Sequence, residues 1–316
     1  MTGHQFILKT DLSEVVGGQK VIASSIGPLG EACLLLVPPG VEKDPFGREE
    51  RKGGGALFPL SRSPKTYAAT FIRFDGRLIQ RTELCELNIA FPTVQPLPNG
   101  EVLLVGARCH YRNGDPEQNA LICGPEGEVI RRFVLGDGIN DVQTTGDGMI
   151  WVSYFDEGVF GNYGWDKPVG SCGLVCFDPE GSKIWEFEPP DGFDSIAYCY
   201  ALNVSDDAVW ACYYTDFPVL RVDSERKTQA WKNSYGGANA LAVDGRRVAL
   251  WGGFRDRHSR CILQQIHGDT LDDAVELAIG FPEGIDSKSV RVRGRGTTLH
   301  GFVGNSWLSY DLGGFP

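Results

Sequence analysis

Apolar residues in this chain fall into short runs separated by turn residues, and one order of events recurs. A short apolar stretch leads into a tight turn carrying Asp, Asn or Gly, and a strongly apolar run follows. A variable loop comes next, then a third run that ends in a second turn. The first turn appears as PLPNGEVLLVG (96–106), TTGDGMIWVSY (144–154), NVSDDAVWACYY (203–214), AVDGRRVALWGG (242–253) and RGRGTTLHGFV (293–303). The second appears as ALICGPEGEVIRRFVL (120–135) and GLVCFDPEGSKIWEFE (173–188), with a weaker copy in VLRVDSERKTQAWK (219–232). Asn-Gly and Asp-Gly between apolar residues are strong hairpin signals, because primed turns need positive φ at their central residues. Two hairpins in series make a four-stranded meander. A meander recurring every ~40–60 residues predicts the blades of a β-propeller.

The pattern places blades at about 20–87, 90–136, 139–188, 194–232, 237–279 and 286–312. The last contains only three strand-like runs, VRVRGR, TLHGFVG and SWLSYDL. QFILKTDL at 5–12 is the natural fourth strand, and pairing it there closes the ring and removes an open sheet edge. The expectation is an all-β chain in which residues 1–316 form a single six-bladed propeller domain, closed by its N-terminal strand. The competing reading, a β-sandwich, is disfavoured because Greek-key connections would not give this regular order. Residues 38–66 are rich in Pro, Gly and charge, and read as a long loop inserted in the first blade.

Composition narrows the function classes. The formal net charge of −11 and pI of about 5.0 argue against a nucleic-acid surface, which needs Lys and Arg to displace counterions, and against an anionic membrane. The N-terminal residues lack the basic-then-apolar pattern of a signal peptide, and no apolar run reaches the length of a membrane span. The nine cysteines are odd in number, sit mostly in apolar runs and form no CxxC pair. They read as reduced thiols in a cytoplasmic protein, not as a zinc site.

In a propeller, the loops entering first strands and those joining second to third strands crowd one face, the usual ligand side. Three loops carry the chemistry there. SYFDEGVFGNYGWDKPVGSCG (153–173) brings Tyr154, Asp156, Glu157, Tyr163 and Trp165. It is read either as the wall of a pocket or as a loop packed on its own aromatics. ARCHYRNGDPEQNA (107–120) brings His110, Tyr111, Arg112 and Asn119. WGGFRDRHSRC (251–261) brings Arg255 within a basic patch suited to a carboxylate or phosphate. Loops entering the first strands add Asn140, Asp141, Asp194 and Asn239. The candidate ligand-binding residues are thus Tyr111, Arg112, Asn119, Asn140, Tyr154, Tyr163, Trp165, Asp194, Asn239 and Arg255. Candidate acid–base residues are His110, Asp156 and Glu157. Asn140, Asp141 and Asp194 are oxygen donors suited to a single divalent cation, Ca²⁺ or Mg²⁺. No GxSxG, HExxH or Walker sequence occurs.

GINDVQTTGDGMIWVSY (138–154) resembles the Asn-Asp…Asp-Gly…Trp segment of the gluconolactonase and senescence-marker-protein family. That resemblance implies a six-bladed propeller hydrolysing lactones with one divalent cation (Ca²⁺, Mg²⁺ or Zn²⁺) at the channel mouth, and makes Asn140 a pocket residue. Where that family carries Glu-Gly-Pro, this chain has PLGEACLLL with Glu31. DPEGSKIWEFE looks like segments of NHL and quinoprotein-type propellers and implies a blade. Two functions follow as expectations. The first is a cytosolic module binding a small molecule or protein partner on the loop-decorated face. The alternative is a metal-dependent, lactonase-like hydrolase or a propeller lyase. A protein-binding surface would expose Phe155, Phe160, Tyr163 and Trp165 as an apolar patch.

Overall fold

Asn99 and Gly100 both take left-handed backbone, with φ of 61° and 78°, as a primed two-residue turn demands. There the chain reverses between strands Pro92–Pro96 and Val102–Gly106. Repetition of such reversals gives six four-stranded antiparallel sheets, the blades of a six-bladed β-propeller. The computed structural model describes residues 4–50, 55–254 and 259–314.

The chain forms two compact units, residues 14–186 and residues 1–13 with 187–316. The first unit holds three blades. Blade 1 comprises Lys20–Ile26, Ala32–Val37, Arg62–Phe74 and Leu78–Ile89. Blade 2 comprises Pro92–Pro96, Val102–Gly106, Ala120–Cys123 and Val129–Phe133. Blade 3 comprises Ile139–Thr144, Ile150–Tyr154, Leu174–Phe177 and Lys183–Glu186. Their apolar faces interleave. Leu35, Phe71 and Leu84 of blade 1 pack with Val94, Leu104 and Leu121 of blade 2. The opposite face of blade 2, with Leu103 and Ile122, packs on Val142, Val152 and Val175 of blade 3. Gln95 ties the three first strands of this unit. Its Nε2 donates to the Ile26 carbonyl (3.3 Å), and its Oε1 accepts from the Thr144 main chain (3.3 Å) and hydroxyl (3.2 Å).

The second unit holds the other three blades. Blade 4 comprises Tyr198–Val204, Ala208–Tyr214, Val219–Asp223 and Thr228–Trp231. Blade 5 comprises Ala238–Val243, Arg247–Gly252, Cys261–His267 and Thr270–Leu277. Blade 6 comprises Arg291–Arg295, Thr298–Val303 and Ser306–Asp311, completed by Ile7–Asp11. The N-terminal strand therefore pairs as expected, Ile7 opposite Ser309 and Asp11 opposite Ser306. Phe6, fully buried, anchors it by stacking on Phe281 (centroids 5.0 Å apart) and meeting Trp251 edge-on (5.3 Å). Asn203 plays here the part of Gln95. Its Nδ2 donates to the carbonyls of Leu241 (2.8 Å) and Gly296 (2.9 Å), and its Oδ1 accepts from the Gly296 main chain (2.7 Å). Close approach of first strands also explains Gly294, where a Cβ would lie 1.7 Å from the Leu241 carbonyl oxygen.

Two expectations are refined. Of the 38–66 insertion, Arg48–Glu50 and Leu57–Pro59 pair as a small hairpin after a 3₁₀ turn at Asp44–Phe46. From Arg62 onward the segment is already the third strand of blade 1, because Ser63, Tyr67 and Ala69 point inward. Second, the first strands of blades 1, 3, 4 and 5 each carry a bulge near their start. These fall at 21–23, 139–141, 199–201 and 238–240. A bulge re-aims the extra side chain. Asn140, Tyr200 and Asn239 thus occupy equivalent positions in their own blades.

Candidate functional site

Within each unit, the loops that enter first strands and those that join second to third strands emerge at the same end of the blades. In the first unit the 107–119 and 155–173 loops interlock around Arg108. This buried guanidinium pairs through Nη2 with Asp137 Oδ2 (2.9 Å) and Glu157 Oε2 (2.5 Å). It lies 4.1 Å above the Tyr163 ring and 5.2 Å from that of Phe155. Asp137 also accepts from the Cys109 main chain (2.8 Å). Burial outweighs these partners and pushes its carboxyl up to about 6. Burial likewise raises the Cys109 thiol.

The aromatic residues of these loops are posts. Trp165 Nε1 donates to the Cys109 carbonyl (2.8 Å), and the Tyr163 hydroxyl to that of Pro59. The buried Tyr154 hydroxyl donates to the Leu135 carbonyl. Asn119 donates to the carbonyls of Gly106 and Gly136 (2.8 Å each) and accepts from the Leu135 main chain (3.0 Å). Tyr111 is exposed and packs on Trp165, with centroids 5.0 Å apart. Arg112 is exposed and stands opposite Asp115 in a two-residue ladder. The His110 ring lies 4.5 Å from Tyr163, so His110 and Glu157 belong to one cluster. Asp156 is exposed at the start of the short helix Asp156–Phe160 and accepts from the Glu157 main chain (2.9 Å). Of the two readings of the 153–173 loop, the self-packed one describes it. Tyr163 and Trp165 are buried, and only Phe160 of the expected apolar patch is strongly exposed.

The donor set does not fit the cation of the gluconolactonase-like expectation. Asp141 accepts from the Val142 main chain (2.9 Å) and Gln143 Nε2 (3.1 Å). Glu31 is fully buried and bound to Arg73 Nε at 2.5 Å and to the Leu29 main chain at 2.8 Å. Among the described residues, no group of three or more His, Cys, Asp or Glu could hold a metal ion.

In the second unit the same end of blade 4 opens into a cavity of about 400 Å³. Three loops line it. Gly192–Asp194 precedes the first strand, Thr215, Asp216 and Pro218 join the second to the third, and Lys232 and Asn233 follow the fourth. Each loop is pinned. The Tyr213 hydroxyl donates to the Asp194 carbonyl (3.1 Å). Asn233 Nδ2 donates to the carbonyls of Phe217 (3.0 Å) and Tyr235 (2.9 Å). Asp216 and Phe217 both adopt positive φ, 64° and 56°, so the 215–218 loop is held in a conformation that non-glycine residues rarely adopt. Asp194, Asp216 and Lys232 are exposed, and among the described residues no hydrogen bond or ion pair engages their side chains.

An aromatic cluster adjoins the cavity. Tyr198 stacks on Tyr200 at 4.1 Å. Tyr200, Phe217 and Phe254 meet one another at 5.6–5.9 Å, and Tyr214 lies 5.5 Å from Phe217. Gly237 makes room for this packing, since a Cβ there would lie 3.0 Å from the Phe254 ring. Phe254 and Tyr214 remain nearly half exposed. Of the residues singled out by sequence, the cavity gathers Asp194. Asn239 is exposed on the first strand of blade 5, close beneath Gly252. Arg255 lies outside the described residues. Asp216, Lys232 and the aromatic cluster escaped the sequence reading because the TDFP loop is short and carries no motif. Its one signal was a bulky Phe between Asp and Pro.

A family model described as the YxzG family matches residues 173–248, a span that contains every residue lining the cavity. No curated protein matches the chain. Among solved structures, the chain is similar to a catalytically inactive virginiamycin B lyase from Staphylococcus aureus with quinupristin. The two are 12% identical over 96% of this chain and 97% of that one, with a TM-score of 0.48. It is similar to a streptogramin B lyase at 11% identity, covering 90% and 99% of the two chains, with a TM-score of 0.39. Apo AztD from Citrobacter koseri is 11% identical over 94% of this chain and 79% of that one, with a TM-score of 0.42. The propeller assignment rests on the strand order itself.

Proposed function

We propose that this chain is a ligand-binding propeller that holds a small molecule in the cavity of blade 4. The cavity carries the reading. Its volume falls in the range of small-molecule sites, and it is rimmed by charged side chains that no hydrogen bond or ion pair engages among the described residues. A rigid rim of this kind binds with little ordering cost. The Arg108 cluster, by contrast, commits Arg108 Nη2, Asp137 and Glu157 to one another, leaves Arg108 Nε buried with no hydrogen-bond partner among the described residues, and serves as a brace for its loops. Asp137 has a raised pKa, as a catalytic acid often does, but it is sealed at 2% exposure and cannot meet a substrate. Among the described residues the nine cysteines form no disulfide and seven are buried, which supports a reducing, cytoplasmic setting.

The test is a melting-temperature screen of the whole chain against sugars, nucleosides, amino acids, peptides and lactones. It is run in parallel on Thr215→Trp, which fills the cavity. The reading predicts that at least one class raises the melting temperature of the wild type and leaves the variant unchanged. Equal stabilisation of both proteins, or of neither by any class, would overturn it.

A further inference from the structure

We infer that the ligand of the blade-4 cavity is zwitterionic: an amino acid or short peptide bearing a free ammonium, a free carboxylate and an apolar side group. The inference rests on the reading of the cavity as the binding site. Three charges of both signs face one space, two carboxylates and one ammonium, and among the described residues no hydrogen bond or ion pair engages them. They come from three different loops: Asp194 before the first strand, Asp216 between the second and third, and Lys232 after the fourth. Among the described residues no ion pair joins Lys232 to Asp194 or Asp216, so the charges do not cancel each other across the cavity.

The loops are fixed in that separation. The bond from Tyr213 to the Asp194 carbonyl holds one, and Asn233 holds the other two by grasping Phe217 and Tyr235. A rim that keeps opposite charges apart is preorganised for a ligand that carries both. An anionic ligand would face two carboxylates, and a cationic one would face Lys232. A neutral ligand would meet both signs without neutralising either. A zwitterion places its carboxylate on the Lys232 ammonium, a compact charge with three donors, and its ammonium on Asp194 and Asp216. Charge-assisted hydrogen bonds of this kind are the strong ones. Phe193 and Pro218 give the same cavity an apolar wall, with Phe217 and Tyr214 beyond it.

The experiment is calorimetric titration of the full chain with the dipeptide Leu-Phe, its N-acetyl form and its C-terminal amide. The same ligands are titrated into Lys232→Met, the double variant Asp194→Asn/Asp216→Asn, and Thr215→Trp. The free dipeptide is expected to bind the wild type. Amidation is expected to weaken it about tenfold, and acetylation likewise, from the loss of one charge-assisted contact each. In Lys232→Met amidation should change affinity little, and in the aspartate double variant acetylation should change it little. The Lys232, Asp194 and Asp216 side chains are exposed, so the charge variants fold as the wild type does. If capping either end leaves wild-type affinity unchanged while Thr215→Trp abolishes binding, the zwitterion inference falls and the cavity stands. If Thr215→Trp binds the dipeptide as well as wild type, both fall. If the dipeptide fails to bind while another class in the melting screen stabilises only the wild type, the inference alone falls.

Discussion

Replacing Asp137 with asparagine isolates the electrostatic cost built into the loop brace of the first unit. In the folded chain this carboxyl titrates at about 6, against 3.8 for the free group, because burial outweighs Arg108 and the main-chain donors. Between those two values the unfolded chain has released its proton while the folded chain keeps it, so stability falls as pH rises. Below 3.8 both states are protonated, and above 6 both are ionised, so the loss is confined to that window. A shift of about two units corresponds to about 3 kcal/mol. For a unit of this size that is a melting shift of about 6–12 °C. Asparagine keeps an acceptor for the Cys109 main chain, and Arg108 retains Glu157, so the variant folds but does not titrate here. Asp11, Glu42, Asp244 and Asp286 have lowered values and lose stability as pH falls. They are common to both proteins and cancel in the difference. The assay is the melting temperature of wild type and Asp137→Asn from pH 4 to 7. The melting temperature of the wild type relative to the variant should fall from pH 4 to about 6 and stay level above that. A difference that stays constant with pH would refute the argument.

Three further outcomes follow from the fold. Asn203→Leu leaves the Leu241 and Gly296 groups buried without partners, and should cost about 2–4 kcal/mol in denaturant unfolding of the second unit. Phe6→Ala empties the space between Phe281 and Trp251 and should cost about 3–5 kcal/mol. Hydrogen exchange should show it loosening Ile7–Asp11 first, and protection there unchanged would contradict its role as the closing strand. Gly294→Val would drive a side chain into the Leu241 main chain and should abolish soluble expression, whereas Gly304→Asn in an open turn should be tolerated.

The blades were legible because their signals are local. Asn-Gly and Asp-Gly turns fix hairpins by backbone sterics alone, and the three-strand remainder at 286–312 pointed to the N-terminal strand as its partner. The site was legible only in part. Asn119, Tyr154, Tyr163 and Trp165 look like ligand groups in a sequence, since nothing there reveals which carbonyl a side chain will reach. The structure gives those polar atoms to Gly106, Leu135, Pro59 and Cys109. Asn203 and Gln95 sit inside apolar strands, where only the neighbouring blades show their purpose. Asp194 was singled out by its position before a first strand. Asp216 and Lys232 join it through tertiary convergence of loops distant in sequence, which no spacing rule encodes. Asn140, Tyr200 and Asn239 share a bulge position that strand pairing makes visible.

The most direct test of the account is to soak crystals of the full chain with a library of small polar fragments that includes free amino acids. The account predicts fragment density in the blade-4 cavity, in contact with Asp194, Asp216 or Lys232. Fragments gathering instead on the 107–119 and 155–173 loops, with the blade-4 cavity bare, would contradict it.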